Sequence, residues 1–170
     1  MELWAFDESR FGLHTIPRRR FTLKGVKPVG LRHVKYAAFW CYGLVAPWSA
    51  KGYFATHRTV TTSDLQAFIN HFAAQEPDHF HLILLDNAPS HHATDLVLPP
   101  NLAFLFLPPY APELNPVERV WRDLKDRLAW RSFPHLLALQ DARADLVEAY
   151  QTHPFHSLIA FPFLLPPHSA

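Results

Sequence analysis

Glycine and cysteine are scarce in this chain, and one long stretch holds no acid at all. Five glycines against 16 prolines point to rigid, proline-punctuated loops. A single cysteine, Cys41, excludes an internal disulfide framework and any cysteine-based zinc cluster, and is compatible with a reducing cytoplasm. No apolar run approaches the roughly 20 residues that span a bilayer. The opening Met1 to Asp7 carries no basic segment followed by an apolar one, so no secretory leader is expected there. From Ser9 to Ser63 there is neither Asp nor Glu, yet ten of the sixteen Lys and Arg residues fall in that interval. A block of this kind suits a polyanion-binding surface, or simply a solvated charged face.

What is present is a foldable apolar chain. Its 170 residues are 49% hydrophobic and 18% charged, enough for one domain with a sizeable core. The organising stretch runs from His81 to His92. Leu82 to Leu85 show no polar alternation, which suits a strand buried on both faces. Asp86 and Asn87 turn the chain, and Pro89 prevents the strand from continuing. An acid at the carboxyl end of a central strand lies where open α/β sheets place their chemistry. Asp also starts turns without further duty.

Glu2 to Phe6 reads as another strand running into an acid, Asp7, followed by Glu8. The basic Arg18 to Lys35 region, with Gly25, Pro28 and Gly30 as turn signals, reads as a hairpin. Tyr36 to Val45 and Tyr53 to Thr59 read as further strands of a meander. Thr62-Ser63-Asp64 caps a helix with Leu65, Phe68, Ile69 and Phe72 at helical spacing. Leu102 to Leu107 is a wholly apolar strand closed by Pro108-Pro109. Asn115, Pro116 and Glu118 then start a helix to about Trp130. Asn-x-x-Glu also fits a reciprocal capping box, which would occupy Glu118 structurally. Pro134 to Tyr150 makes a last helix. The expected domain is residues 1–152, followed by a Pro-rich tail, 153–170, with no regular structure.

Three carboxylates at one sheet edge repel each other and raise each other's pKa. A divalent cation relieves that repulsion, and hard oxygen donors suit Mg²⁺ or Mn²⁺. Two such ions about 4 Å apart serve phosphodiester chemistry, with a basic surface beside them to hold a nucleic-acid backbone.

The chain resembles the catalytic domain of DDE-type transposases, in particular bacterial insertion-sequence relatives of mariner. The resemblance lies in Phe6-Asp7-Glu8-Ser9, in Lys24-Gly25 with Pro28, in Leu85 to His91, and most specifically in Leu107-Pro-Pro-Tyr-Ala-Pro-Glu-Leu-Asn-Pro-Val-Glu118. It implies an α/β, ribonuclease H-like mixed five-stranded sheet with flanking helices. It implies Asp7, Asp86 and Glu118 as catalytic metal ligands, two Mg²⁺ or Mn²⁺ ions, and DNA cleavage followed by 3′-hydroxyl joining. Asn87, His91 and Asn115 are supporting positions; Asn87 and His91 serve either a ligand or the turn itself. Arg18, Arg19, Arg20, Lys24, Lys27, Arg32 and Lys35 are the expected DNA contacts. The expected partners are double-stranded DNA at transposon ends and target, a second copy of the chain on that DNA, and a separate helix-turn-helix chain. The family's amino-terminal helix-turn-helix region has no room before residue 2. No membrane partner is expected, and the location is the cytoplasm, at the nucleoid. Glu118 follows Asp86 by 32 positions, slightly less than the usual family interval, as a trimmed loop would give.

A second reading is a DNA-binding or subunit-pairing module that keeps the fold without turnover. A ribonuclease or junction resolvase is disfavoured by the Pro-Pro-Tyr-Ala-Pro-Glu-Leu-Asn-Pro motif. The twelve histidines lack zinc-site spacing, and Trp40, Trp48, Trp121 and Trp130 are read mainly as core or sheet-covering residues.

Overall fold

The computed structural model describes residues 1–15, 18, 21–27, 35–109, 111–152, 155–161 and 164. Five strands form one mixed sheet: β1 (Glu2–Gly12), β2 (Ala38–Ala46), β3 (Lys51–His57), β4 (His81–Leu85) and β5 (Leu102–Phe106). Their spatial order is β3-β2-β1-β4-β5. β1 pairs antiparallel with β2 and parallel with β4, and β4 pairs parallel with β5. Among the described residues, four α-helices flank the sheet: α1 (Thr62–Ala73), α2 (Val117–Leu128), α3 (Leu136–Thr152) and α4 (Phe155–Ile159).

Side chains alternate across a strand, and β1 distributes them to two cores. Trp4 and Phe6 pack with Leu65, Phe68, Ile69 and Phe72 of α1. Ala5 and Phe11 pack on the other face with Val120, Trp121 and Leu124 of α2, and with Tyr150 and Phe155 beyond. β4 follows the same rule, with Ile83 and Leu85 toward α1 and Leu84 toward α2. Each face thus has its own covering layer, which is why β4 reads as an unbroken apolar run.

The expected meander is present, but β1 does not stop at Asp7. It runs five residues further because Ala5 to Gly12 pair with β2, long after pairing with β4 has ended. Ser9 and Phe11 are buried in that extension. The expected Arg18–Lys35 hairpin is not borne out by its described part: residues 18, 21–27 and 35 form no strand, and Lys24-Gly25 makes a turn with Gly25 at φ 86°. Pro28, Arg32 and the other residues of 28–34 lie outside the described residues.

The carboxyl-terminal segment also differs from expectation. It contains α4, and Phe155, Ile159 and Phe161 are buried. Its prolines had suggested an unstructured tail, but its aromatic residues are core material. Among the described residues, no helix is long and apolar enough to cross a membrane.

Candidate functional site

Ala5 of β1 pairs with Leu84 of β4 in parallel register. Two residues further along each strand come Asp7 and Asp86. Both therefore belong to the carboxyl edge of the central strands, and Asp7 lies on the face that Ala5 and Leu84 share beneath α2. Asp7 sits within β1, while Asp86 begins the turn after β4.

Glu118 arrives from α2, and its placement depends on Asn115. The buried Asn115 amide donates to the Phe6 carbonyl at 2.7 Å, while its side-chain oxygen accepts from the Val117 N–H at 3.1 Å. One residue thus caps α2 and fastens its start to β1, beside Asp7. The reciprocal half of a capping box is missing: among the described residues the Glu118 carboxylate accepts no hydrogen bond from the Asn115 N–H, although the Glu118 N–H donates to the Asn115 carbonyl at 3.2 Å. Its carboxylate is exposed and free for another role.

Asp7 shows what that role is near. Burial raises its pKa well above the ordinary value, and the negative charges of Glu118 and Glu8 raise it further. The Trp121 indole N–H opposes this, donating to Asp7 Oδ2 at 2.8 Å. Sequence reading assigned Trp121 mainly to the core or to covering the sheet. It is indeed buried, but its nitrogen reaches the site; its position one turn after Glu118 was the available signal. Lys125, one further turn along, was also missed. Burial lowers its pKa, against the pull of Glu118 and Asp7, and Arg18 lies close enough to lower it further. Lys125 stands 5.6 Å from the Phe11 ring centroid.

Asp86 is oriented by its own loop. Its Oδ1 accepts from the Ala88 N–H at 3.1 Å and lies 2.9 Å from His91 Nδ1. His91 belongs to a 3₁₀ turn, Pro89–His92, and its Nε2 lies 3.6 Å from Glu8 Oε2. Burial alone would lower the His91 pKa, but Glu8 and the Asp86 carbonyl and carboxylate outweigh it and raise the value. Asn87 bonds the Leu107 carbonyl at 2.7 Å, tying the turn to the end of β5. That is the structural role expected of it. A groove of about 470 Å³, lined by Asp86, Asn87, Leu107 and Pro108 among others, opens beside the turn.

The structure therefore brings Asp7 and Glu118 into electrostatic contact and sets Asp86 at the neighbouring strand end. Among the described residues, no three His, Cys, Asp or Glu side chains are drawn tightly enough to ligate one ion as they stand. The donor set itself fits a hard divalent cation. It offers carboxylate oxygens, no thiolate, and a mutual repulsion that a cation relieves. Asp86 Oδ2 and the Glu118 carboxylate carry no hydrogen bond among the described residues, so their lone pairs are free.

Of the expected DNA contacts, Arg18 pairs with Asp126 of α2 at 2.6 Å, and Lys35 donates to the Pro134 carbonyl at 3.0 Å. Lys24 and Lys27 are exposed. Arg19, Arg20 and Arg32 lie outside the described residues.

A 3-2-1-4-5 mixed sheet with acids on β1, after β4 and at the start of the following long helix defines the ribonuclease H-like class. Solved structures agree. The Mos1 mariner transposase in its paired-end complex with Mn matches at TM-score 0.72 and 18% identity, over 93% of this chain and 51% of that one. The Mos1 paired-end complex with the left transposon end gives TM-score 0.70 at 17% identity, over 93% and 51%. The simian T-cell lymphotropic virus intasome, in complex with a PP2A regulatory subunit, gives 0.52 at 16%, over 84% and 46%. The chain spans about half the length of the mariner chains it matches. In sequence it is 37% identical over 90 residues to the uncharacterized protein y4pE/y4sA of Sinorhizobium fredii, covering 51% of this chain and 67% of that one. The chain belongs to the DDE superfamily endonuclease family, whose pattern matches residues 2–140.

Proposed function

We propose that this chain is the catalytic domain of a DNA transposase, and that Asp7, Asp86 and Glu118 are its metal-binding carboxylates. The observation that carries the reading is the fastening of α2 to β1 by Asn115, which brings Glu118 into electrostatic contact with Asp7 at the same sheet edge as Asp86. A buried acid with the exposed Glu118 carboxylate, unbonded among the described residues, pressing its charge on it is the mark of a site awaiting positive charge. The catalytic unit is residues 1–152, with α4 docked on it and the remainder of 153–170 following.

Asp7, Asp86 and Glu118 would hold Mg²⁺ or Mn²⁺, two ions by the general logic of phosphodiester transfer, and such ions supply Lewis acidity at the attacked phosphate and at the leaving oxygen. The rest falls to the chain. Trp121 keeps Asp7 oriented through its N–H. Asn115 keeps the start of α2, and with it Glu118, against β1. Lys125 places positive charge next to Asp7 and Glu118, where a DNA phosphate would lie, with Arg18, paired to Asp126, beyond it. Water is the nucleophile for strand cleavage and the freed 3′-hydroxyl for joining, so no side chain need form a covalent intermediate. Lys24, Lys27 and Lys35, with Arg19, Arg20 and Arg32, extend the basic surface along double-stranded DNA. A second copy on the same DNA and a separate recognition chain complete the proposed assembly.

The test is Mg²⁺-dependent nicking of supercoiled plasmid by the native chain and by Asp86→Ala. Loss of nicking in the variant, with DNA binding retained, supports the assignment. Equal nicking by both removes Asp86 from the mechanism. Binding without nicking in the native chain favours the alternative of a DNA-binding or pairing module without turnover.

A further inference from the structure

We propose that Glu8 is a positioning residue for Asp86, acting through His91, so that the two consecutive acids of β1 serve one site from opposite faces of the sheet. The functional part of this inference rests on the carboxylate reading above.

Successive strand residues point to opposite faces. Asp7 shares the face of Ala5, beneath α2. Glu8 pairs across the sheet with Tyr42 and shares the face of Phe6 and Tyr42, on the α1 side. Nothing on that face needs a carboxylate for packing. Yet Glu8 Oε2 is buried and has no hydrogen-bond partner among the described residues. An orphaned buried oxygen is costly, and this one lies 3.6 Å from His91 Nε2.

His91 is 5% exposed and stands edge-on to the Phe6 ring, with centroids 5.5 Å apart. It cannot swing into solvent without leaving that contact. Its Nε2 faces Glu8, and its Nδ1 lies 2.9 Å from Asp86 Oδ1 while also bonding the Asp86 main-chain carbonyl at 3.2 Å. The Ala88 N–H falls on that same Oδ1. Both anchors of Asp86 therefore grip one oxygen and leave Oδ2 free.

The Asp86 side chain is 55% exposed, so packing does little to choose its rotamer. The choice falls to His91, whose ring is held by the Phe6 contact and the Asp86 carbonyl and faces Glu8 through Nε2. The chain Glu8, His91, Asp86 is an outer support of the kind that orients a ligating carboxylate, and loss of such support typically weakens metal affinity or activity 10- to 100-fold.

The first readout needs no catalysis. In metal-free protein, the ¹³Cγ resonance of Asp86, assigned through Asp86→Asn, should move on the near-isosteric Glu8→Gln change. The same change in a His91→Ala background should leave it in place. The second readout is plasmid nicking against Mn²⁺ concentration. Glu8→Gln should raise the Mn²⁺ needed for half-maximal nicking about tenfold, with melting temperature and metal-free DNA binding unchanged. The double variant should be no worse than His91→Ala alone. An Asp86 resonance indifferent to Glu8→Gln overturns the proposal. So does an unchanged Mn²⁺ requirement in an active chain, or an effect of Glu8→Gln that multiplies with His91→Ala. If the native chain itself shows no metal-dependent nicking, the carboxylate reading has failed separately, and the resonance alone decides whether Glu8 orients Asp86.

Discussion

Gly43 of β2 has no room for a methyl group, and the reason links the fold to the site. A Cβ built there would lie 2.6 Å from Trp121 Cη2, 2.8 Å from Cζ2 and 2.9 Å from Phe54 Cε1. Real Cβ contacts do not occur at such distances, so Gly43→Ala must displace the indole, the Phe54 ring or β2. Overpacking of this kind costs about 1–3 kcal/mol. In a domain of this size each kcal/mol lowers Tm by about 2–4 °C, which gives a drop of about 2–12 °C. The indole is also the donor to Asp7 Oδ2, so moving it threatens a hydrogen bond to a charged group, worth about 1.5–3 kcal/mol. Thermal and urea denaturation of Gly43→Ala measure the first effect. A double-mutant cycle with Trp121→Phe isolates the clash, because a phenyl ring ends before the Cη2 and Cζ2 positions. The penalty of Gly43→Ala should shrink in the Trp121→Phe background, with a coupling above about 0.5 kcal/mol. An unchanged Tm in Gly43→Ala, or strict additivity in the cycle, would refute the close approach of α2 to β2 on which the placement of Asp7 and Glu118 depends.

Thr61 and Asp64 form a reciprocal cap at the start of α1, so Thr61→Ala should cost about 1 kcal/mol in denaturation. The Thr59 hydroxyl, the Thr61 hydroxyl and N–H, and His57 together hold the Asp64 pKa below its ordinary value. Its contribution is therefore present above the unfolded-state pKa, near 3.9, and is lost as pH falls through the depressed folded value. The stability gap between native protein and Asp64→Asn should close in that acid range, and a gap independent of pH would contradict it. Phe155→Ala should cost about 3–5 kcal/mol, read as Tm, because Phe155 is buried and stacks on Tyr150 at 5.0 Å between centroids; an unaltered Tm would mean that α4 does not dock. Changing Arg18, Arg19 and Arg20 together to Ala should weaken DNA binding at all sequences. It should also flatten the dependence of log K on log salt by roughly 0.9 for each phosphate no longer neutralised, as measured by fluorescence anisotropy.

The sheet and its acidic edge were legible because their signals are local. An unbroken Leu82–Leu85 run ending at Asp86, and an Asn-Pro-x-Glu start to α2, need no knowledge of distant contacts. The long continuation of β1 was not legible, because only β2 stabilises residues 7–12 there, and no sequence pattern announces where β4 stops pairing. The role of α4 was hidden by prolines that dominate the composition of its segment while Phe155 and Ile159 supply the core. Trp121 and Lys125 were visible as residues but not as neighbours of Asp7, since their facing is set by the clamp of Asn115 on Phe6. Glu8 and His91 stand 83 positions apart, and only the parallel pairing of β1 with β4 brings them together.

The carboxylates of residues 7, 86 and 118 should close on a shared cation once one is supplied, and a crystal of the chain grown with Mn²⁺ reads this out through anomalous scattering. The account predicts a Mn²⁺ peak with at least one oxygen from each of Asp7, Asp86 and Glu118 within about 2.3 Å of it or of a companion ion. A Mn²⁺ peak elsewhere on the chain, or one that leaves Asp86 turned toward His91 with neither oxygen near the metal, would contradict it.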